Sequence, residues 1–219
     1  MNAVMTTRCP TQSLPAALVD PASRNLPHRR QAIGDYRPSE PDLERFNQLL
    51  ARLGRELPPL DLDQLATAAR QLPPPVGGEN TPRCIAERVA RLETVAAMVA
   101  DPDWAAANQA MDCARLVLDY TRERRRLIPE ALPWFGHLDD AIVVEVAWPI
   151  LGREAACYRD FLRLRALESY LRGCAPEALH FDRRYWEAAR HAEAALAAHR
   201  RRVRESSYVP VESPMFRIH

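Results

Sequence analysis

The chain has 219 residues, 47% of them hydrophobic and 27% charged, with a formal net charge of +1. That length can bury a sizeable core, and the near-neutral balance excludes a global field drawing the molecule to nucleic acid or an anionic membrane. All 30 basic residues are arginine, and the five cysteines include no CxxC pair, which argues against a zinc ribbon and against a disulfide framework.

Twelve of the 19 prolines lie at or before Pro82. Residues 1–38 mix Pro, Ser, Thr, Asn and Arg without periodicity, so they read as a Pro-rich arm that is extended and adds little to stability. Order is expected from Ser39, which can cap a helix whose stripe is Leu43, Phe46, Leu49, Leu50 and Leu53, with Gly54 as the stop. A short helix over Asp61 to Leu72 follows, and the Pro- and Gly-rich run after it breaks the chain. Thr81 is expected to cap the next helix, with Ile85, Val89, Leu92, Val95, Ala96 and Val99 at helical spacing. Asp101–Pro102 reads as a fresh helix start, leading through Trp104, Met111, Ala114 and Val117 to the basic run ending at Arg126.

Pro129 and Pro133 then interrupt any helix. The next is expected near Asp139, with Asp139 as its N-cap, Asp140 facing the positive end of the dipole, and Leu138 and Val143 as a hydrophobic staple. Ala141 to Leu151 is apolar nearly all round, as a central helix would be. Further helices are expected over Arg153 to Arg172, stopped by Gly173, and from Pro176 or Asp182 to Arg204. The reading is an all-α fold: a single bundle of six to eight helices over residues 39–204, with an extended arm and an extended tail at 205–219. Cys84, Cys113 and Cys157 fall in helical patterns and read as small core residues.

No apolar core of signal-peptide length appears in the first 30 residues. The best spanning candidate, Leu132 to Gly152, carries His137, Asp139, Asp140 and Glu145, each acid costing about 2.5–3.5 kcal/mol at a bilayer centre. A cytoplasmic protein is expected, with no membrane span; peripheral membrane association stays open.

The run Leu127, Ile128, Pro129, Glu130, then Pro133, Gly136, Leu138, Asp139, Asp140 and Ala141 resembles the signature of the YkvA-like family of small domains of unknown function. The similarity covers about residues 89–152 and includes Asp101–Pro102 upstream. Arg126 stands where that family usually carries an acid. The resemblance implies no activity.

Three functional readings follow from the residues. A metal or acid–base site could be built from Glu130, His137, Asp139 and Asp140, since carboxylates and an imidazole can hold a divalent ion or activate water. The plainer account of the same residues is helix capping plus ion pairs with Arg122, Arg125 or Arg126. An anion or nucleic-acid site could use the clusters Arg122, Arg124, Arg125, Arg126 and Arg200, Arg201, Arg202, Arg204. Helix dipoles and solubility explain such clusters equally well, and without a recognition helix or interleaved aromatics nucleic acid is not the expected partner. The third reading, a non-catalytic module acting through a protein partner, needs no missing motif. Nucleophile elbows, P-loops and dinucleotide fingerprints are absent, so no cofactor is expected and the balance leans away from an enzyme.

Overall fold

The structure of the protein, a computed structural model, describes residues 12–19, 32–74 and 80–206. Their six α-helices are α1 (Glu40–Arg52), α2 (Leu62–Gln71), α3 (Arg83–Ala100), α4 (Asn108–Arg122), α5 (Leu138–Arg172) and α6 (Arg183–Ser206). Among the described residues an isolated antiparallel bridge between Ile33 and Tyr36 is the only β-type pairing, so the fold is all-α. The chain divides into two compact units, with the boundary between Arg159 and Asp160 inside α5.

In the first unit, several helix ends follow the sequence pattern. The Ser39 side chain accepts the Asp42 N–H, and α1 buries Phe46 and Leu50. Gly54 sits at φ +93°, which lets the chain leave α1 while the Arg55 N–H donates to the Leu50 carbonyl. Asp61 and Gln64 close a reciprocal capping box at α2.

Other ends differ from expectation. Thr81 does not cap α3; Pro82 takes the N-cap position, which leaves Thr81 one residue too far out, and no side chain caps this end. The buried face of α3 is Cys84, Ile85, Arg88, Val95 and Met98, while Val89 and Leu92 are only half-buried. The burial of Arg88 is offset by one carboxylate and two carbonyls at its head. Arg88 pairs with Glu145 at 2.8 Å and donates to the carbonyls of Cys84 at 2.8 Å and Gln12 at 2.9 Å.

Asp101 starts no helix either. The chain runs irregularly until α4 begins at Asn108, and the Asp101 carboxylate accepts from the Asp103 N–H at 3.0 Å and the Tyr158 hydroxyl at 3.1 Å. Trp104, in this connector, is buried with its ring 5.7 Å from that of Tyr158.

The two helices expected around Gly152 are one helix of 35 residues with Pro149 inside it. Pro149 removes the N–H that would bond the Glu145 carbonyl. Both residues are exposed, so water can take the orphaned carbonyl and the helix continues.

Two stretches of the expected arm are packed. Pro15, Ala17 and Leu18 are buried, the Ala17 N–H donates to Gln71, and Arg55 donates to the Leu18 carbonyl at 3.0 Å. Ile33 is buried, and the Tyr36 hydroxyl donates to the Leu127 carbonyl at 3.2 Å. These short apolar clusters gain burial that composition averaged over the arm does not reveal. Residues 1–11 and 20–31 of the arm, and the tail from 207, lie outside the described residues.

In the second unit, Asp160 of α5 anchors the first turns of α6. It accepts from Trp186 Nε1 at 2.8 Å and from Arg190, while Arg163 pairs with it from one turn along α5. Burial works against its charge, yet those donors hold its carboxyl at about 2. The rings of Phe161 and Phe181 pack at a tilt of 44°, 5.4 Å between centroids. From His191 to Glu205 every residue of α6 is exposed. No helix among the described residues is long and apolar enough to cross a membrane.

Gly136 closes the irregular segment before α5. A β-carbon there would collide with the backbone carbonyl oxygens of Glu130 and Leu132, neither of which can swing aside. Gly136→Ala should cost roughly 1–3 kcal/mol, by overpacking against fixed backbone. Denaturant melts check this, and an unchanged midpoint would show that the segment yields.

Candidate functional site

The acids Asp139 and Asp140 lie in the first turn of α5, just after its first residue, Leu138. Both are buried, at 0% and 2% exposure, so they meet protein rather than water. Asp139 is therefore not the N-cap residue, and its carboxylate does more than cap. Its Oδ2 accepts from the Tyr120 hydroxyl at 2.6 Å and from the Ile128 N–H at 3.1 Å, and its Oδ1 accepts from the Asp140 N–H at 3.1 Å. Tyr120 in turn accepts from the Leu127 N–H at 3.1 Å. One carboxylate thus joins the end of α4, the loop at 127–128 and the start of α5.

Asp140 organises a second cluster. Its Oδ2 accepts from Arg126 Nη1 at 3.0 Å and lies 2.9 Å from His137 Nδ1, while its Oδ1 is buried without a hydrogen-bond partner among the described residues. Arg126 also pairs with Glu130 at 2.5 Å and donates to the Thr121 carbonyl. The structure therefore brings Glu130, His137 and Asp140 together around Arg126, and turns Asp139 the other way, onto Tyr120. Among the described residues no three His, Cys, Asp or Glu side chains are grouped to hold a metal ion.

Burial, and then the neighbouring Asp140 charge, push the Asp139 carboxyl up from 3.8 to about 6, against the pull of its three donors. Burial and the Asp139 charge likewise drive the Tyr120 phenol well up, so it stays a donor at every working pH.

The first arginine cluster divides. Arg122, Arg124 and Arg126 line one cleft with Glu123, Pro129, Glu130 and Ala131, whereas Arg125 reaches Asp42 at 3.9 Å. Arg200, Arg201, Arg202 and Arg204 are all exposed on α6. Tyr120 and Arg88 carry buried polar networks that sequence reading missed. Tyr120 sits on a helical stripe like any core aromatic, 19 residues from its partner, and no local signal marks it. Nearby, Trp134 is half-exposed at a left-handed φ of 72°, a costly conformation for a non-glycine residue.

No family model, no curated protein and no solved structure matches the chain.

Asp139→Ala strands the Tyr120 hydroxyl and the Ile128 N–H without an acceptor in a buried site. It should cost roughly 2–6 kcal/mol, at about 1–3 kcal/mol for each stranded group. Asp139→Asn keeps one oxygen and should cost much less. The pH dependence has a definite sign. Folded Asp139 holds its proton to about pH 6 and the unfolded chain only to 3.8, so stability falls as pH rises across that window and the deficit is complete above it. Urea melts of the wild type relative to Asp139→Asn should show the difference drifting against the wild type by roughly 3 kcal/mol between pH 4 and 7, about two units at 1.36 kcal/mol each. A flat difference would mean that Asp139 titrates normally.

Proposed function

We propose that this protein is a helical module that works by engaging a protein partner rather than by catalysis. The observation that carries the reading is a patch near the end of α5. Leu167, Tyr170 and Leu171 stand at i, i+3 and i+4, so they share one face, and they are 47%, 82% and 69% exposed. Clustered apolar side chains of this size in water mark interaction surfaces more often than scattered surface residues do. Tyr185 of α6, 43% exposed, accepts from Arg172 in the next residue position along α5. The acids best suited to chemistry support the same reading, because Asp139 spends both oxygens on neighbouring donors and Asp140 is bound to Arg126.

Kinship with the YkvA-like domains belongs to this proposal and rests on the Leu127 to Ala141 run. A cytoplasmic setting also belongs to it; Cys84, Cys113, Cys157 and Cys174 are all free thiols, as a reducing compartment would keep them.

Affinity capture with the full chain tests the proposal against a variant carrying Tyr170→Glu and Leu171→Glu. Both positions are exposed, so the variant should melt with the wild type. It should lose a protein that the wild type retains in stoichiometric amount. Retention of that protein by the variant, or no stoichiometric protein on the wild type, contradicts the reading.

A further inference from the structure

The cleft beside α4 presents two guanidinium groups, Arg122 and Arg124, that form no ion pair among the described residues. It encloses about 410 Å³ and is lined by Arg122, Glu123, Arg124, Arg126, Pro129, Glu130 and Ala131. Like charges in one cleft repel, so each guanidinium needs an account. Arg126 has one: Asp140 and Glu130 neutralise it, and the Thr121 carbonyl fixes its other nitrogen. Arg122 belongs to the last turn of α4, where the negative end of the helix dipole favours a cation. Arg124 has neither a helix end nor an acid. Among the described residues neither Arg122 nor Arg124 forms an ion pair, and the single remaining acid of the lining, Glu123, offsets one of the two at most.

We infer that this cleft binds a small phosphorylated anion, with Arg122 and Arg124 as the gripping forks and the locked head of Arg126 as a fixed floor. Guanidinium forks match phosphate oxygens two at a time, and each such bond is stronger than one between neutral groups. Arg126 is suited to the floor because its head is locked: its side chain is 15% exposed and Asp140, at 2%, holds it from behind. The other two side chains are exposed and can close on a ligand. The cleft's volume falls in the range of small-molecule sites. No aromatic ring lines it, and the lack of a stacking platform favours a small anion over a nucleic-acid strand. The exposed arginines 200, 201, 202 and 204 of α6 form the internal control.

The test is calorimetric titration of the full chain with sodium pyrophosphate at low ionic strength. The wild type should bind one equivalent saturably. The double variant Arg122→Gln with Arg124→Gln should lose about ten-fold or more in affinity, as expected for losing charge-assisted hydrogen bonds. A triple variant at Arg200, Arg201 and Arg202, each to Gln, should bind as the wild type does. A single-stranded oligonucleotide at equal phosphate concentration should not displace the pyrophosphate. The inference is overturned by absence of saturable binding, by equal losses in the two variants, or by displacement by the oligonucleotide. Both variants change exposed side chains, and matched melting curves confirm that each is folded.

Discussion

A buried carboxylate, Asp139, is the constraint on which the first unit turns. Its oxygens collect a phenol from α4, an amide from the loop at Ile128 and an amide from α5 itself. Tyr120, held in this way, packs its ring 5.5 Å from Phe46 of α1 and accepts the Leu127 N–H. The Leu127 carbonyl in turn receives the Tyr36 hydroxyl. Five segments between Tyr36 and Asp140 thus depend on one acid. Burying a charge is costly, and raised proton affinity at Asp139 is the sign of that cost. The oxygens cannot be dispensed with, however, since irregular backbone at 127–128 is buried and its amides need acceptors.

The neighbouring acid plays a different part. Asp140 neutralises Arg126, which would otherwise be a largely buried cation, and Arg126 ties the loop back to the end of α4 through the Thr121 carbonyl. The adjacent pair is thus a division of labour, with one acid accepting neutral donors and the other carrying an ion pair. The same pairing fixes one wall of the arginine cleft.

Much of the helical framework was legible, because capping and periodicity are local. The Ser39 cap and the all-round apolar run after Asp140 each act within one or two turns. The misses have a common physical origin in tertiary context. Thr81 and Asp101–Pro102 look like helix starts, yet position relative to the true first turn decides which oxygen can cap. Pro149 and Gly152 look like breaks, yet an exposed proline costs the helix only one bond that water can replace. Arg88 looks like a solvated charge, and only the approach of Glu145, 57 residues away, makes its burial possible. Within the candidate site, sequence singled out Glu130, His137, Asp139 and Asp140, and their choice between chemistry and structure depended on Tyr120 and Arg126. Arg126 was one of three arginines, with Arg122 and Arg125, expected as partners; Tyr120 was not, because no short-range pattern links it to Asp139.

If Asp139 is the structural centre of this unit, the loop amides it anchors directly or through Tyr120 must open only when the fold opens. Native-state hydrogen exchange of the Leu127 and Ile128 amides measures this directly. Both lie outside any helix, where irregular backbone ordinarily exchanges through local fluctuations. The account predicts that both exchange with the free energy of global unfolding, as slowly as the core amides of α4. Exchange of these two amides by local opening, well before the helices, would contradict it.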